Sequence, residues 1–338
     1  MLKGHRTWVF NHKPVIISTG TVGGPFEANG KLADHFDLLH EDLWLGEDSY
    51  EKAHKILFEE ACFKTLEKAH LPKDKVQFVI GGDLINQMTP TTFATQSIGA
   101  PYLGVFSACA TSMEALALSA FLVNYQGANY VLTGATSHNS AVEKQFRYPT
   151  EYGGQKPPTA QWTVTASGAA LVSKEGKGPR ITSATIGRVV DMGLTDPFNM
   201  GGAMAPAAVE TIEAHFQDMN IKPDHYDLII TGDLAHIGRE ISLDLLKKHG
   251  LAIEDHKYQD CGLLIYREGQ PVLAGASGAG CSASVTYGYL LNRMKAGELK
   301  RILVIATGAL LSPLSFQQGE TIPCIAHAVA IENGDENE

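Results

Sequence analysis

The sequence predicts an α/β fold made of two duplicated halves, and three observations lead to this prediction. The chain has 338 residues, of which 44% are hydrophobic and 34 are glycine, a composition typical of buried strands and helices joined by tight turns. A strand-like run that ends in Gly-Asp-Leu occurs twice, each time after a helical segment and a short polar turn. A second helix-and-strand unit then follows each copy in the same order.

The first unit of each half consists of a helix, a turn and a buried strand. We predict the helices at Tyr50 to Ala69 and Pro206 to Met219, and the strands at Val76 to Leu84 and Tyr226 to Leu234. The two Gly-Asp-Leu motifs end these strands at a spacing of 150 positions. One such motif can arise by chance in any α/β protein, but ordered matches on both sides of it favour a duplication.

The second unit repeats the helix-to-strand order. Ser112 to Tyr125 leads into the strand Tyr130 to Gly134, and Ser284 to Lys295 leads into Arg301 to Gly308. The second half is longer between its two units, and we expect the insertion at Leu251 to Gln270. Strands that alternate with helices predict parallel sheets covered by helices on both faces.

We place the boundary between the halves in the loop-like stretch 176–179, so that residues 1–175 form the N-terminal half and 176–338 the C-terminal half. The formal net charge of -10 disfavours nucleic acid as a partner. The five cysteines include no CxxC pair, which argues against a zinc site and fits a reducing compartment. No segment has the length of a membrane span or the pattern of a signal peptide, so we expect a soluble protein.

Cys109 is the first candidate site residue, because it lies where a strand-like run passes into the helical segment that starts near Ser112. A thiol there is close to the unpaired amides of a helix start, which favour the thiolate. A cysteine among small apolar residues is, however, more often inert packing.

The motif Ala108-Cys109-Ala110-Thr111-Ser112 resembles the nucleophile elbow of thiolases and β-ketoacyl synthases. The duplicated halves are also that family's plan. The resemblance implies a five-layer αβαβα fold, a homodimer, and a pocket between the halves that contains Cys109.

His236 follows the second Gly-Asp strand, where ketoacyl synthases carry a histidine that polarises a thioester carbonyl, so the resemblance implies that it shares the pocket. The Gly-rich run 274–283 resembles the turn in which active enzymes carry a second histidine or an asparagine. Here that position is Ala276 or Ser277. Losing one oxyanion-binding group costs about 10²- to 10³-fold in rate, so we expect no condensing activity.

Five further residues are candidates for lining a ligand site. Cys324 and His327 belong to a segment that partly resembles the thiolase segment with the acid-base cysteine, although a buried core strand explains them equally well. His138 follows a predicted strand end. Arg147 and Arg239 could supply positive charge, or they could be ordinary surface residues.

The opening Thr7-Trp8-Val9-Phe10 and the run from Cys109 to Glu114 further resemble a family of thiolase-like sporulation proteins of endospore formers. That resemblance implies binding of dipicolinic acid (pyridine-2,6-dicarboxylate) for uptake into the developing spore, with membrane subunits of a transport complex as partners and no cofactor or metal. It also implies peripheral association with the inner spore membrane. The dianion would require Cys109 to remain a neutral thiol. Two alternatives stay open: an active thiolase or ketoacyl synthase that uses acyl-coenzyme A thioesters, or a scaffold subunit that binds no ligand.

Overall fold

The computed structural model describes residues 1–146 and 156–334. The strands, in chain order, are β1 (Leu2–Lys3), β2 (Thr7–Val9), β3 (Val15–Gly23), β4 (Leu38–Leu39), β5 (Phe78–Gly82), β6 (Tyr102–Gly104), β7 (Tyr130–Ser137), β8 (Trp162–Thr163), β9 (Ala166–Ser173), β10 (Arg180–Thr185), β11 (Leu228–Thr231), β12 (Tyr258–Asp260), β13 (Ala276–Ser277), β14 (Arg301–Ala309) and β15 (Cys324–Glu332). The helices are α1 (Pro25–Ala28), α2 (Tyr50–Ala69), α3 (Thr89–Ile98), α4 (Thr111–Asn124), α5 (Asn139–Phe146), α6 (Met200–Met219), α7 (Ala235–Lys248), α8 (Cys261–Leu264), α9 (Ala279–Ser284), α10 (Leu291–Lys295) and α11 (Pro313–Gln317). A π-helical turn, Val285–Leu290, joins α9 to α10.

The strand order shows the duplication directly. One half runs β3-β9-β7-β5-β6 and the other runs β10-β15-β14-β11-β12, and the two series correspond strand for strand. They meet where β3 and β10 form a single antiparallel pair, Val15 opposite Arg180. The expectation of parallel sheets is correct only in part. β5 pairs in parallel with β6 and β7, but β9 runs antiparallel to both of its neighbours, as does β15, so each half is a mixed sheet.

The helices form three layers around these two half-sheets. In the first half α2 packs on β3 and β9, and α3 packs against α2 and beside β5 and β6. In the second half α6 packs on β14 and β15, and α7 packs against α6 and beside β12. α4 and α9 contact each other and lie between the two half-sheets. This order of layers is the predicted five-layer αβαβα arrangement. No helix within residues 1–146 and 156–334 combines the length and the apolar character that a bilayer crossing requires.

The predicted helices and strands are found in the structure, but some of their ends differ from the predicted ones. The helix Tyr50–Ala69 is found as predicted, and Ser49 caps it by accepting a hydrogen bond from the Lys52 amide. α6 starts at Met200, ahead of the predicted Pro206, because the Asn199 side chain caps it. Most of the insertion in the second half lies after β12, in a segment that contains α8 and the Gly-rich turn before α9. The predicted boundary at 176–179 falls in the connection between β9 and β10.

A buried acid attaches this insertion to the first half. Glu27 in α1 is fully buried, and its Oε1 accepts hydrogen bonds from the hydroxyl of Tyr266 and from the Thr165 amide at 3.1 Å. Glu27 Oε2 is buried without a hydrogen-bond partner. Burial raises the pKa of Glu27 to about 7, although both hydrogen bonds oppose the rise. The insertion is therefore attached to α1 through an acid that is partly protonated near neutral pH.

We expect Glu27→Gln to stabilise the fold at alkaline pH and to have little effect near pH 5. A carboxyl whose pKa rises on folding loses stability as the pH rises from its unfolded to its folded value, and the amide does not ionise. The difference in unfolding free energy should grow to about 3 kcal/mol by about pH 8. Urea denaturation at several pH values measures it. Glu320→Gln, at an exposed position, is the matched control, and a pH-independent difference would contradict this account.

Candidate functional site

Cys109 lies in a tight turn between β6 and α4. Ala108 has a φ of 51°, a left-handed conformation that costs a non-glycine residue energy. The turn is held by the Thr111 hydroxyl, which donates to the Ala108 carbonyl at 2.6 Å and accepts from the Ser107 amide at 3.1 Å. It packs against Gly308 of β14, where an added Cβ would lie 2.2 Å from the Ser107 carbonyl oxygen. The second half therefore shapes the turn of the first.

The Cys109 side chain opens into a cavity of about 180 Å³ between the two halves. Its walls are mostly apolar and include Met200, Met204 and the segment 309–312. The buried polar residues that line it are Gln161, Asp233 and Ser277. None of its lining residues within the described parts of the chain is a histidine, a lysine or an arginine. Sites for drug-sized ligands span about 300–1,000 Å³, so this cavity suits a smaller molecule.

Asp233 faces Cys109 across the cavity. Its carboxyl accepts hydrogen bonds from the Thr307 hydroxyl at 2.7 Å, from the Gly278 amide at 2.9 Å and from the Cys109 thiol. Burial raises the pKa of Asp233 to about 7, and the nearby Asp260 adds to the rise, while the three donors oppose it. A carboxylate beside a thiol repels the thiolate, so this pair disfavours an activated nucleophile at Cys109.

The two Gly-Asp-Leu motifs hold their acids differently. Asp83 in the first half accepts hydrogen bonds from the amides of Ile85 and Thr91 and so caps the start of α3. In the second half Asp260 binds the amides of Leu234 and Ala235 instead. Asp233 is thereby left to point into the cavity. The sequence indicated Asp233 only as part of a repeat, although its position at a strand end is typical of a site residue in α/β proteins.

Gln161 and Ser277 are the other polar lining residues that bury their side chains. Gln161 Nε2 donates to the Asp233 carbonyl oxygen at 2.6 Å, and its Oε1 is buried without a hydrogen-bond partner. Ser277 lies at one of the two positions where the sequence predicted loss of a catalytic group; the other, Ala276, is buried in the same strand, β13. Gln161 was missed at the sequence level, because no motif surrounds it.

His236 does not share this cavity, which corrects the expectation that it lies beside Cys109. It occupies the first turn of α7, its amide donates to the Ala274 carbonyl at 3.0 Å, and its side chain is exposed. It lines a separate cavity of about 700 Å³ with Lys31 and Arg267. The reason is geometric, since residues a few positions apart at a helix start point in different directions.

Arg239 and His138 are held in structural contacts outside the Cys109 cavity. Arg239 pairs with Asp255 at 2.8 Å and donates from Nε to the Tyr258 carbonyl at 3.1 Å. His138 is buried, and its Nε2 lies 2.8 Å from the Leu43 carbonyl oxygen. Burial lowers the pKa of His138 to about 4. Neither residue is among those that line the cavity.

The last three candidates also lie elsewhere or are not described. Cys324 and His327 are buried in β15 and do not line the cavity. His327 Nδ1 accepts the Gly187 amide at 3.2 Å, and burial lowers its pKa to about 4. Burial raises the pKa of Cys324 to about 12. Arg147 lies outside the described residues. Whether any of the predicted residues contacts a ligand stays a prediction.

Comparison with known proteins assigns the family. The family model described as stage V sporulation protein AD matches residues 4–332. The chain is also 48% identical over 331 residues to stage V sporulation protein AD of Bacillus subtilis (strain 168), with 98% of each protein covered. The chain belongs to the stage V sporulation protein AD family. The predicted resemblance to thiolase-like sporulation proteins is thus confirmed.

Solved structures of condensing enzymes share the fold. Human mitochondrial 3-ketoacyl-CoA thiolase has a TM-score of 0.60 at 12% identity, over 96% of this chain and 100% of that one. 3-Oxoacyl-[acyl-carrier-protein] synthase III from Aquifex aeolicus VF5 has a TM-score of 0.57 at 14% identity, over 94% of this chain and 99% of that one. These likenesses confirm the thiolase-like fold, and at such identities they carry no activity across.

We expect Asp233→Asn to increase the alkylation rate of Cys109 at neutral pH. Removing a like charge in contact with the thiol should raise the rate by about tenfold or more. Iodoacetamide labelling followed by intact-mass measurement gives the rate. The other four cysteines are buried and should not react in the folded protein, and Cys109→Ala removes the reactive site as a control. An unchanged rate would show that the carboxyl does not restrain the thiol.

Proposed function

We propose that this protein binds dipicolinic acid in the Cys109 cavity without converting it, as part of a membrane transport complex that takes the compound into the developing spore. Membership of a sporulation-stage family supports the setting. The observation that carries the proposal is the cavity itself, in which Cys109 faces the Asp233 carboxyl instead of a histidine.

The volume and lining of the cavity suit a small molecule with both apolar and polar parts. Met200, Met204 and Phe106 provide apolar contact for an aromatic ring. Ser277, Gln161 and Asp233 provide polar atoms at the buried side. A carboxyl-bearing aromatic ligand can thus bury its ring and direct its oxygens towards hydrogen-bonding groups.

The polar groups also favour binding over catalysis. A condensing enzyme requires a thiolate and two groups that stabilise an oxyanion. In this cavity a carboxyl is hydrogen-bonded to the thiol, and the described lining residues include no histidine, lysine or arginine that could stabilise an oxyanion. The strained turn at Ala108 is the feature that favours the alternative of an active thiolase, because it presents Cys109 to the cavity as a nucleophile elbow does.

We expect dipicolinate to bind the protein, and Ser277→Leu to weaken binding by at least about tenfold, or about 1.4 kcal/mol, because the larger side chain fills the cavity. His236→Ala should leave the affinity unchanged, since His236 lines the separate cavity. Isothermal titration calorimetry measures both, with thermal unfolding as the folding check. If His236→Ala weakens binding and Ser277→Leu does not, the ligand site is the second cavity instead. Failure of the parent protein to bind would favour a scaffold role, and a stable acyl adduct on Cys109 after incubation with acetyl-coenzyme A would favour an enzyme.

We also propose that the protein is a homodimer joined along β6. This short strand pairs with β5 on one side and with no other strand in the described parts of the chain. Leu103 and Phe106, on and just after it, are 48% and 49% exposed, and Phe93 of the adjacent α3 is 55% exposed. An unpaired strand edge flanked by apolar side chains is a template for pairing with another chain. Because Phe106 also lines the cavity, the interface would border the ligand site.

Leu103→Asp should convert the dimer to a monomer, since it places a charge in the apolar surface along β6. Light scattering after size-exclusion chromatography measures the mass. Leu314→Asp is the matched control, because Leu314 is 64% exposed and lies on α11. A parent protein that is monomeric, or a Leu103→Asp protein that stays dimeric, would contradict an interface at β6.

A further inference from the structure

The Cys109 cavity presents a charge problem to any carboxylate ligand. Asp233, the ionisable acid that lines it, is fully buried, and no described lining residue carries a positive charge. Moving an anion into a partly dry cavity beside another carboxylate is costly in free energy. A ligand with one or two carboxylates therefore requires either a cation or a proton to accompany it.

The side-chain amide of Gln161 cannot supply a hydrogen-bond donor to a carboxylate in the cavity. Its Nε2 is committed to the Asp233 carbonyl oxygen at 2.6 Å, so the donor end of the amide is already used and only the acceptor, Oε1, is left. Rotating the amide by a half turn would place Oε1 against that carbonyl, which fixes the orientation. Oε1 is buried without a partner, and a buried acceptor left unpaired is costly in free energy. This amide thus offers an acceptor, which suits a donor group and repels an anion.

The surroundings of Asp233 allow it to hold a proton. Among the described residues, the other ionisable groups that interact with it are the Asp260 carboxyl and the thiols of Cys109, Cys261, Cys281 and Cys324. None of them is a cation that would hold the carboxylate in its charged form. Thr307 and Gly278 donate to one oxygen each, and the Cys109 thiol takes a third acceptor position, so one position of the carboxyl remains for a proton or a ligand contact.

We propose that a carboxylate ligand enters this cavity together with one proton, which Asp233 holds and through which it donates a hydrogen bond to the ligand's carboxylate. This inference rests on the proposed function and adds to it a coupling between ligand binding and proton uptake. The proton is supplied by the solvent, and no covalent bond to the ligand forms or breaks. The ligand class is an aromatic or small dicarboxylate, and the proton taken up stays on Asp233.

Calorimetric titration of the full chain with dipicolinate tests the coupling. In two buffers of different ionisation enthalpy, the difference in observed heat should correspond to an uptake of about one proton per ligand near pH 7.5. The dissociation constant should be flat below about pH 6 and rise about tenfold per pH unit above about pH 7.5, because only the protonated carboxyl binds. Binding that is independent of both buffer and pH would overturn the coupling and leave the proposed function standing. Absence of binding at every pH would overturn both.

Two variants locate the proton. Asp233→Asn keeps a donor in place, so binding should persist at alkaline pH with the proton uptake and the pH dependence lost. Thr307→Val removes a hydrogen bond that favours the charged form and should shift the midpoint of the pH profile upwards. Asp34→Asn, at an exposed position, should change neither property. If Arg147→Ala abolishes binding and the parent protein takes up no proton, an arginine supplies the charge and the proposal is wrong.

Discussion

The hydrogen bond between the Cys109 thiol and the Asp233 carboxyl is the interaction on which the character of this site depends. Each partner belongs to a different half of the molecule, so the pair exists only because the halves pack face to face. Gly308 permits the close approach, since any side chain there would collide with the Ser107 carbonyl. The thiol's hydrogen bond favours the charged form of the carboxyl, although burial outweighs it, and a charged carboxyl in turn disfavours a thiolate. Cys109 is therefore suited to donating a hydrogen bond as a neutral thiol.

Duplication followed by divergence explains why Asp233 lines the cavity. The two half-sheets have the same strand order and both carry an aspartate after the equivalent strand. In the first half Asp83 is used locally, as the cap of the next helix. In the second half Asp260 takes over the backbone amides. A second acid that satisfies the local hydrogen bonds thus leaves Asp233 available for a ligand.

Protonation connects the site to the packing of the insertion. Asp233 and Glu27 are both fully buried acids whose pKa is raised to about 7 by loss of solvation. Glu27 holds Tyr266, in the segment whose later part, at Gly278, donates to Asp233. Both ends of this segment therefore contact a carboxyl that changes charge near neutral pH. Both carboxyl groups are buried where solvent water cannot stabilise their charged forms.

The duplication, the helices and strands near the site, and the place of Cys109 at a helix start could all be predicted from the sequence. These follow from local periodicity and turn chemistry, as with α2, which Ser49 caps. The sequence did not determine that β9 and β15 run antiparallel, because strand direction is decided by long-range pairing. Nor did it show that Asp233 and Gln161, rather than His236, line the cavity with Cys109. That arrangement depends on tertiary contacts, because a side chain's direction at a strand end depends on which backbone amides its neighbours have already taken.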